Sequence, residues 1–150
     1  MFGATGDGAL VELKETLFEK EIDLQEFLTH HPALLAGDQM NSLEPRRFVL
    51  VDAQAGITIA EGGADYFSID HLFIDQDGIP ALVEVKRSTD TRLRREVVGQ
   101  MLDYAANACA HWSVSQLRSM FERRCQKLGV SPDQELGKLG VEAASDPEAL

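Results

Sequence analysis

Between the apolar runs that end at Ile74 and begin at Ile79 lies Asp75-Gln76-Asp77-Gly78, with glycine where a type I turn plus G1 bulge wants a left-handed residue. With Asp75 and Ile79 flanking a three-residue loop, strand pairing puts Asp70 opposite Glu84, and alternation puts Lys86 on the same face as Glu84. Two facing carboxylates repel unless a cation lies between them. Magnesium suits the pair, with manganese as its substitute, because it takes oxygen ligands and keeps several waters; the Val85 carbonyl is a further oxygen for it. Coordination there would acidify a water and offset charge on a pentavalent phosphorus. The Lys86 ammonium, a mobile point charge with three donors, would orient that water or stabilise the transition state. A Glu-x-Lys tripeptide alone is common and most often marks an exposed strand with an ion pair, so Asp70, the turn and the following helix must count together.

These residues need elements to position them. Tyr66 to Ile74 and Ile79 to Lys86 read as a strand pair, and Arg46 to Asp52 and Ile57 to Ala60 as an earlier hairpin joined across Ala55 and Gly56. From Glu19 to His30, Ile22, Leu24, Phe27 and Leu28 recur at helical spacing, and Pro32 disfavours helix at His31, which predicts an end near His30. Residues 1 to 8 read as loose, and Leu10 to Phe18 leans towards a strand. Thr91 to about His111 carries Val97, Val98, Met101, Leu102, Ala105 and Ala108 at helical spacing, with Gln100 and Tyr104 sharing a face. A capping box at Ser113 and Gln116 opens a second helix with a stripe of Val114, Leu117, Phe121, Cys125 and Leu128, closed by Gly129; Ser131-Pro132 opens a third. Trp112 reads as core, both cysteines as buried apolar residues, and Arg118, Arg123, Arg124 and Lys127 as a solvated face. His71 should turn away from Asp70 into packing.

With those elements in place, the stretch FSIDHLFIDQDGIPALVEVKRSTDTRLRREVVGQMLDYAANA, roughly residues 66 to 108, resembles the core of the PD-(D/E)xK, or restriction-endonuclease-like, nuclease superfamily. It is most similar to RecB-type nuclease domains and bacterial proteins with the same QxxxY signature. The resemblance implies an α/β fold with a mixed central sheet flanked by helices, magnesium dependence, and cleavage of DNA or sometimes RNA. It gives Asp70, Glu84 and Lys86 the metal and catalytic roles and sets Gln100 and Tyr104 beside the site, touching substrate or a metal-bound water. The family's first helix often adds an acidic residue before a His-Pro or Asn-Pro, a pattern matched by Glu21, Leu24, Gln25, Leu28, His31 and Pro32; Glu21 is thus a further metal candidate, with Glu26 and Glu19 behind it. Ile69 stands where the family's nominal motif has proline.

The 150 residues suit a nuclease-like domain over 1–130 and a helical C-terminal extension over 131–150, where Asp146-Pro147-Glu148 reads as the start of a further helix and so of a longer protein. No apolar run reaches bilayer length and MFGATGDGAL lacks signal-peptide character, so a soluble cytoplasmic protein is expected. Cys109 and Cys125 have no ligand spacing, which argues against a zinc site or disulfide framework. A net charge of −11 opposes nucleic-acid binding, yet Lys86, Arg87, Arg92, Arg94 and Arg95 crowd one short stretch against Asp90 alone. Arg87, Arg92, Arg94 and Arg95 are therefore the expected phosphate grips, with DNA as the expected partner and RNA as the other. Competing readings are a module that binds nucleic acid or protein without cutting, and an acidic scaffold whose strip docks a negatively charged protein. Nucleases of this kind often also need a dimer or an attached domain to hold DNA.

Overall fold

The computed structural model describes residues 2–4, 6, 10–12, 20–58, 65–86 and 94–140. Two short strands, β1 (Phe2–Ala4) and β2 (Leu10–Glu12), pair antiparallel. Phe2 to Ala4 is thus paired strand within the stretch expected to be loose, whereas residues 13–19 lie outside the described residues. Helix α1 (Glu21–His30) is followed by a 3-10 turn at Pro32–Leu34 and a short α2 (Gly37–Met40). Strands β3 (Phe48–Thr58), β4 (Asp65–Asp75) and β5 (Pro80–Val83) form an antiparallel sheet in that order. Helices α3 (Arg94–His111), α4 (Val114–Leu128) and α5 (Pro132–Gly137) complete a mixed α/β architecture of five α-helices among the described residues.

The hairpin predicted across Ala55 and Gly56 does not exist. That stretch is the interior of β3, with Ala55 paired to Ile69 and Gly56 to Ser68. Gly56 is not among the glycines with positive φ, and the single left-handed residue nearby, Gln54, falls short of the two that a type I′ turn demands. Instead the strand absorbs its small residues through irregularities: the register slips between Leu50 and Asp52, and Gln54 takes a φ of 58°. Every described pairing in this sheet is antiparallel, so the mixed sheet implied by resemblance is not met among the described residues; after β5 the described chain returns only as helices.

The β4–β5 turn follows expectation. Gly78 has φ +75°, Gly78 N–H donates to the Asp75 carbonyl at 3.1 Å, and Asp75 N–H donates to Ile79 O at 3.1 Å. The Asp75 carboxylate is buried and accepts from the backbone N–H groups of Asp77 and Ile79 at 2.9 Å each, while Arg46 donates to its other oxygen at 3.2 Å. Pairs from Ile74↔Pro80 to His71↔Val83 then hold the expected register, but β5 ends at Val83 rather than running to Lys86, so Glu84 to Lys86 follow the strand and the expected Asp70–Glu84 strand pair is not formed.

Val49, Val51, Ile57, Ile69 and Leu72 form the centre of the core with Tyr104 of α3 and Phe121 and Cys125 of α4, and Trp112 packs against it. Burying one such aliphatic side chain is worth about 1.5–3 kcal/mol, enough for a few to hold both helices on the sheet. Helix α4 has its full capping box and ends on Gly129 at φ +68°. Its stripe narrows at both ends, since Val114 and Leu128 are exposed; on α3, Val98 and Leu102 are exposed too. Cys125 is buried as expected, but Cys109 is exposed. No described helix is long and apolar enough to cross a membrane.

Helix α1 has Lys20 at its N-cap and no side-chain cap there, so tertiary contacts must hold it. Leu28 is buried, and His71 of β4 fastens the helix from below. The His71 ring is buried, with Nε2 donating to the Gln25 carbonyl at 2.9 Å and lying 2.9 Å from Thr29 Oγ1. A carbonyl can only accept, which fixes the proton on Nε2 and leaves the buried Nδ1 without a partner. Burial pushes the ring's pKa down, against smaller opposing effects of the Gln25 hydrogen bond and the nearby Asp70 charge. The unfolded chain therefore binds the extra proton first. Stability from this ring should be complete above the ordinary histidine pKa of about 6.5 and should drain away as pH falls below it. Thermal melts from pH 8 to pH 5 should show that decline in the wild type and a flatter profile in His71→Gln; equal slopes would remove His71 as its source.

Candidate active site

Asp70, Glu84 and Lys86 do come together, at the point where β5 ends beside β4. Asp70 is clamped at both oxygens: Oδ2 accepts from Val85 N–H at 2.8 Å and Oδ1 from Gln54 Nε2 at 3.2 Å. Val85 itself is buried and meets Asp70 through its amide, which holds the end of β5 against the carboxylate. Glu84 presents Oε1 to Lys86 Nζ at 2.7 Å, with only 7% of its side chain exposed. Its other oxygen, Oε2, is buried and has no hydrogen-bond partner. Leaving a carboxylate oxygen dry and unpaired costs free energy, so the sheet holds Glu84 in place against its own solvation.

Glu21 joins this group from α1, its Oε2 3.9 Å from Lys86 Nζ. The acidic residue expected from the first helix therefore does reach the cluster, carried there by the helix that His71 fastens. Burial works against the lysine's charge, but the Glu84 hydrogen bond and the charges of Glu84, Glu21 and Asp70 together raise its pKa above the ordinary value. Lys86 is a firmly charged ammonium among three carboxylates.

Could a metal ion share this site? Among the described residues no three His, Cys, Asp or Glu side chains converge closely enough to enclose an ion. A magnesium ion, however, is commonly held by one or two carboxylates with water and substrate oxygens completing its shell. Asp70 and Glu84 are hard oxygen donors on one sheet end, and the unpartnered Glu84 Oε2 is a buried acceptor of the kind a cation satisfies. The donor set fits such an ion.

Gln100 and Tyr104 meet each other rather than the carboxylates. Gln100 Nε2 donates to the Tyr104 hydroxyl, and the Tyr104 ring, buried in the core, lies 5.2 Å from that of Phe67. With Phe67, Glu96, Gly99 and Asp103 they line an open cavity of about 470 Å³ that none of Asp70, Glu84 and Lys86 lines. Phe67 is three residues before Asp70 on β4, about 10 Å along an extended strand. Arg94 and Arg95 begin α3, the helix that carries this pair, while Arg87 and Arg92 lie outside the described residues.

One residue of the site was not foreseen. Gln54 donates to Asp70 and accepts from Ser68 Oγ at 3.4 Å, and it does so from a left-handed backbone conformation rare for a residue with a side chain. Backbone strain of this kind typically costs about 1–3 kcal/mol and gathers at functional sites. A glutamine in mid-strand gives no sequence signal for a positive φ.

Comparison with family models, with curated proteins and with solved structures finds no match to this chain.

Proposed function

We propose that this protein is a magnesium-dependent nuclease of the restriction-endonuclease-like type, hydrolysing phosphodiester bonds of DNA. The observation that carries the reading is the nearly buried Glu84 carboxylate with one oxygen unpartnered, fixed beside Asp70 and Lys86. Asp70 and Glu84 would hold magnesium, which when bound would acidify an attacking water and offset charge on the phosphate. Lys86 cannot ligate a cation, so its ammonium would turn from Glu84 towards a substrate oxygen and donate to it. Glu21 would steady that ammonium from the far side. Gln100 and Tyr104 would line the approach of the strand, and Arg94 and Arg95 would grip its backbone together with Arg87 and Arg92.

The test is cleavage of single- and double-stranded DNA, and of RNA, with magnesium, with manganese and with chelator. Cutting that requires the metal supports the proposal, and none under any condition sinks it. One observation favours a second reading, a module that binds nucleic acid without cutting: the Lys86 ammonium is already engaged by Glu84 and Glu21 and offsets part of the carboxylate charge. Salt-sensitive DNA binding without cleavage would select that reading.

Either way the basic strip should supply affinity, not sequence recognition. Replacing Arg94 and Arg95 with Ala should weaken binding to all sequences alike and flatten the dependence of log K on log salt by about 0.9 for each duplex phosphate no longer neutralised. A weakening confined to one DNA sequence would contradict this.

A further inference from the structure

At the end of the sheet where Phe48 pairs with Asp75, a cavity of about 430 Å³ opens between the end of α1, the start of β3 and helices α4 and α5. It lies about five residues, on the order of 16 Å, along β4 from Asp70, and none of Asp70, Glu84 and Lys86 lines it. We propose that this cavity is a separate binding site for a small phosphate monoester of mononucleotide size.

Charge is the first reason. In a chain of net charge −11, Arg46, Arg47, Arg124 and Lys138 all line this one cavity. Arg46 is committed to Asp75 and Asp77 at the β4–β5 turn. The other three are not fully answered. Arg47 has no carboxylate partner among the described residues, and its guanidinium rests against Gly140, where even a methyl group would stand 3.3 Å from it. Arg124 and Lys138 share the single buried carboxylate of Glu135. The only other acid in the lining is the exposed Asp38.

Arg124 supplies the second reason. Its side chain is 16% exposed and its Nη1 is buried with no hydrogen-bond acceptor. Glu135 Oε2 lies 3.7 Å away, close enough for attraction but too far for a hydrogen bond. A guanidinium N–H in that state lacks an acceptor that an oxyanion would provide, and the planar guanidinium suits phosphate oxygens. A phosphate monoester carries close to two negative charges at neutral pH, and so answers the positive charge that Glu135 leaves over better than a singly charged carboxylate would.

Size is the third. The volume falls in the range of small-molecule sites, far more than inorganic phosphate fills. Pro32, Leu35 and Phe48 give the cavity an apolar wall beside its cationic one, which suits a flat apolar body attached to the phosphate. The site does not depend on the nuclease reading.

Calorimetric titration of the full chain, in chelator, with adenosine 5′-monophosphate, adenosine and inorganic phosphate tests it. The monophosphate should bind saturably, with adenosine and phosphate each weaker by about tenfold or more. Arg47→Gln and Lys138→Gln, both at exposed side chains, should each weaken the monophosphate by about tenfold, whereas Lys86→Met should leave its affinity unchanged. Failure to saturate, phosphate binding as tightly as the monophosphate, indifference to both cavity substitutions, or weakened binding in Lys86→Met would each overturn the proposal.

Discussion

Lys86→Ala should lower the cleavage rate by about a hundred- to a thousand-fold, the scale on which removal of one transition-state donor acts. The same substitution should reveal what the ammonium does at rest. It removes the cation that Glu84 Oε1 meets, on a side chain whose other oxygen has no partner, and it leaves Asp70 and Glu21 nearby with no ammonium between them. Without magnesium the variant should therefore lose roughly 1–3 kcal/mol of stability, since lysine is partly exposed and water can answer part of the charge. Magnesium should return much of that stability without returning activity. Melting curves with and without the ion, set beside single-turnover cleavage, separate the two roles. Wild-type cutting by the variant would end the catalytic assignment, and a melting deficit that magnesium does not touch would make Lys86 a structural counterion.

Asp70→Asn should abolish the heat of magnesium binding in a calorimetric titration while the chain stays folded. Asparagine keeps one oxygen, so it can still accept from Val85 N–H or from Gln54, but not with charge at both positions. The structural cost should be about 1 kcal/mol for the weakened hydrogen bond. The effect on a divalent ion should be far larger, because one of its two carboxylate ligands is gone. An unchanged titration would show that the ion, if bound, sits elsewhere.

Much of this site was legible in the sequence because a short turn is a local device. Asp75, Gly78 and the three-residue loop set the register of β4 and β5, and that register delivers Glu84 to the neighbourhood of Asp70, where the next amide, Val85 N–H, donates to the Asp70 carboxylate. The helix boundaries at Pro32, Ser113 and Gly129 were local too. What stayed hidden depends on distant partners. Ala55 and Gly56 look like a turn until β4 is there to pair with them, because eleven residues of partner strand outweigh the turn preference of one glycine. Arg124 was placed on a solvated face with Arg118, Arg123 and Lys127; Arg118 does pair with Glu122 on the surface, but α5 folds back to set Glu135 beside Arg124, and no periodicity in α4 announces that. The four-residue spacing of Gln100 and Tyr104 gives one face of a helix, but it does not announce that Gln100 meets the Tyr104 hydroxyl itself.

The clamp at the β4–β5 turn also sets an order of events. A hairpin closed by a three-residue loop forms in about 1–10 μs, before contacts that span larger stretches of chain. Asp70, Glu84 and Lys86 all ride on that hairpin or its immediate continuation, so the negative pair and the lysine that offsets part of its charge should assemble together and early. Glu21 arrives from 65 residues upstream of Lys86, and only when α1 docks on His71. The early hairpin would thus hold a lysine poised between two acids, and the late helix would bring the third.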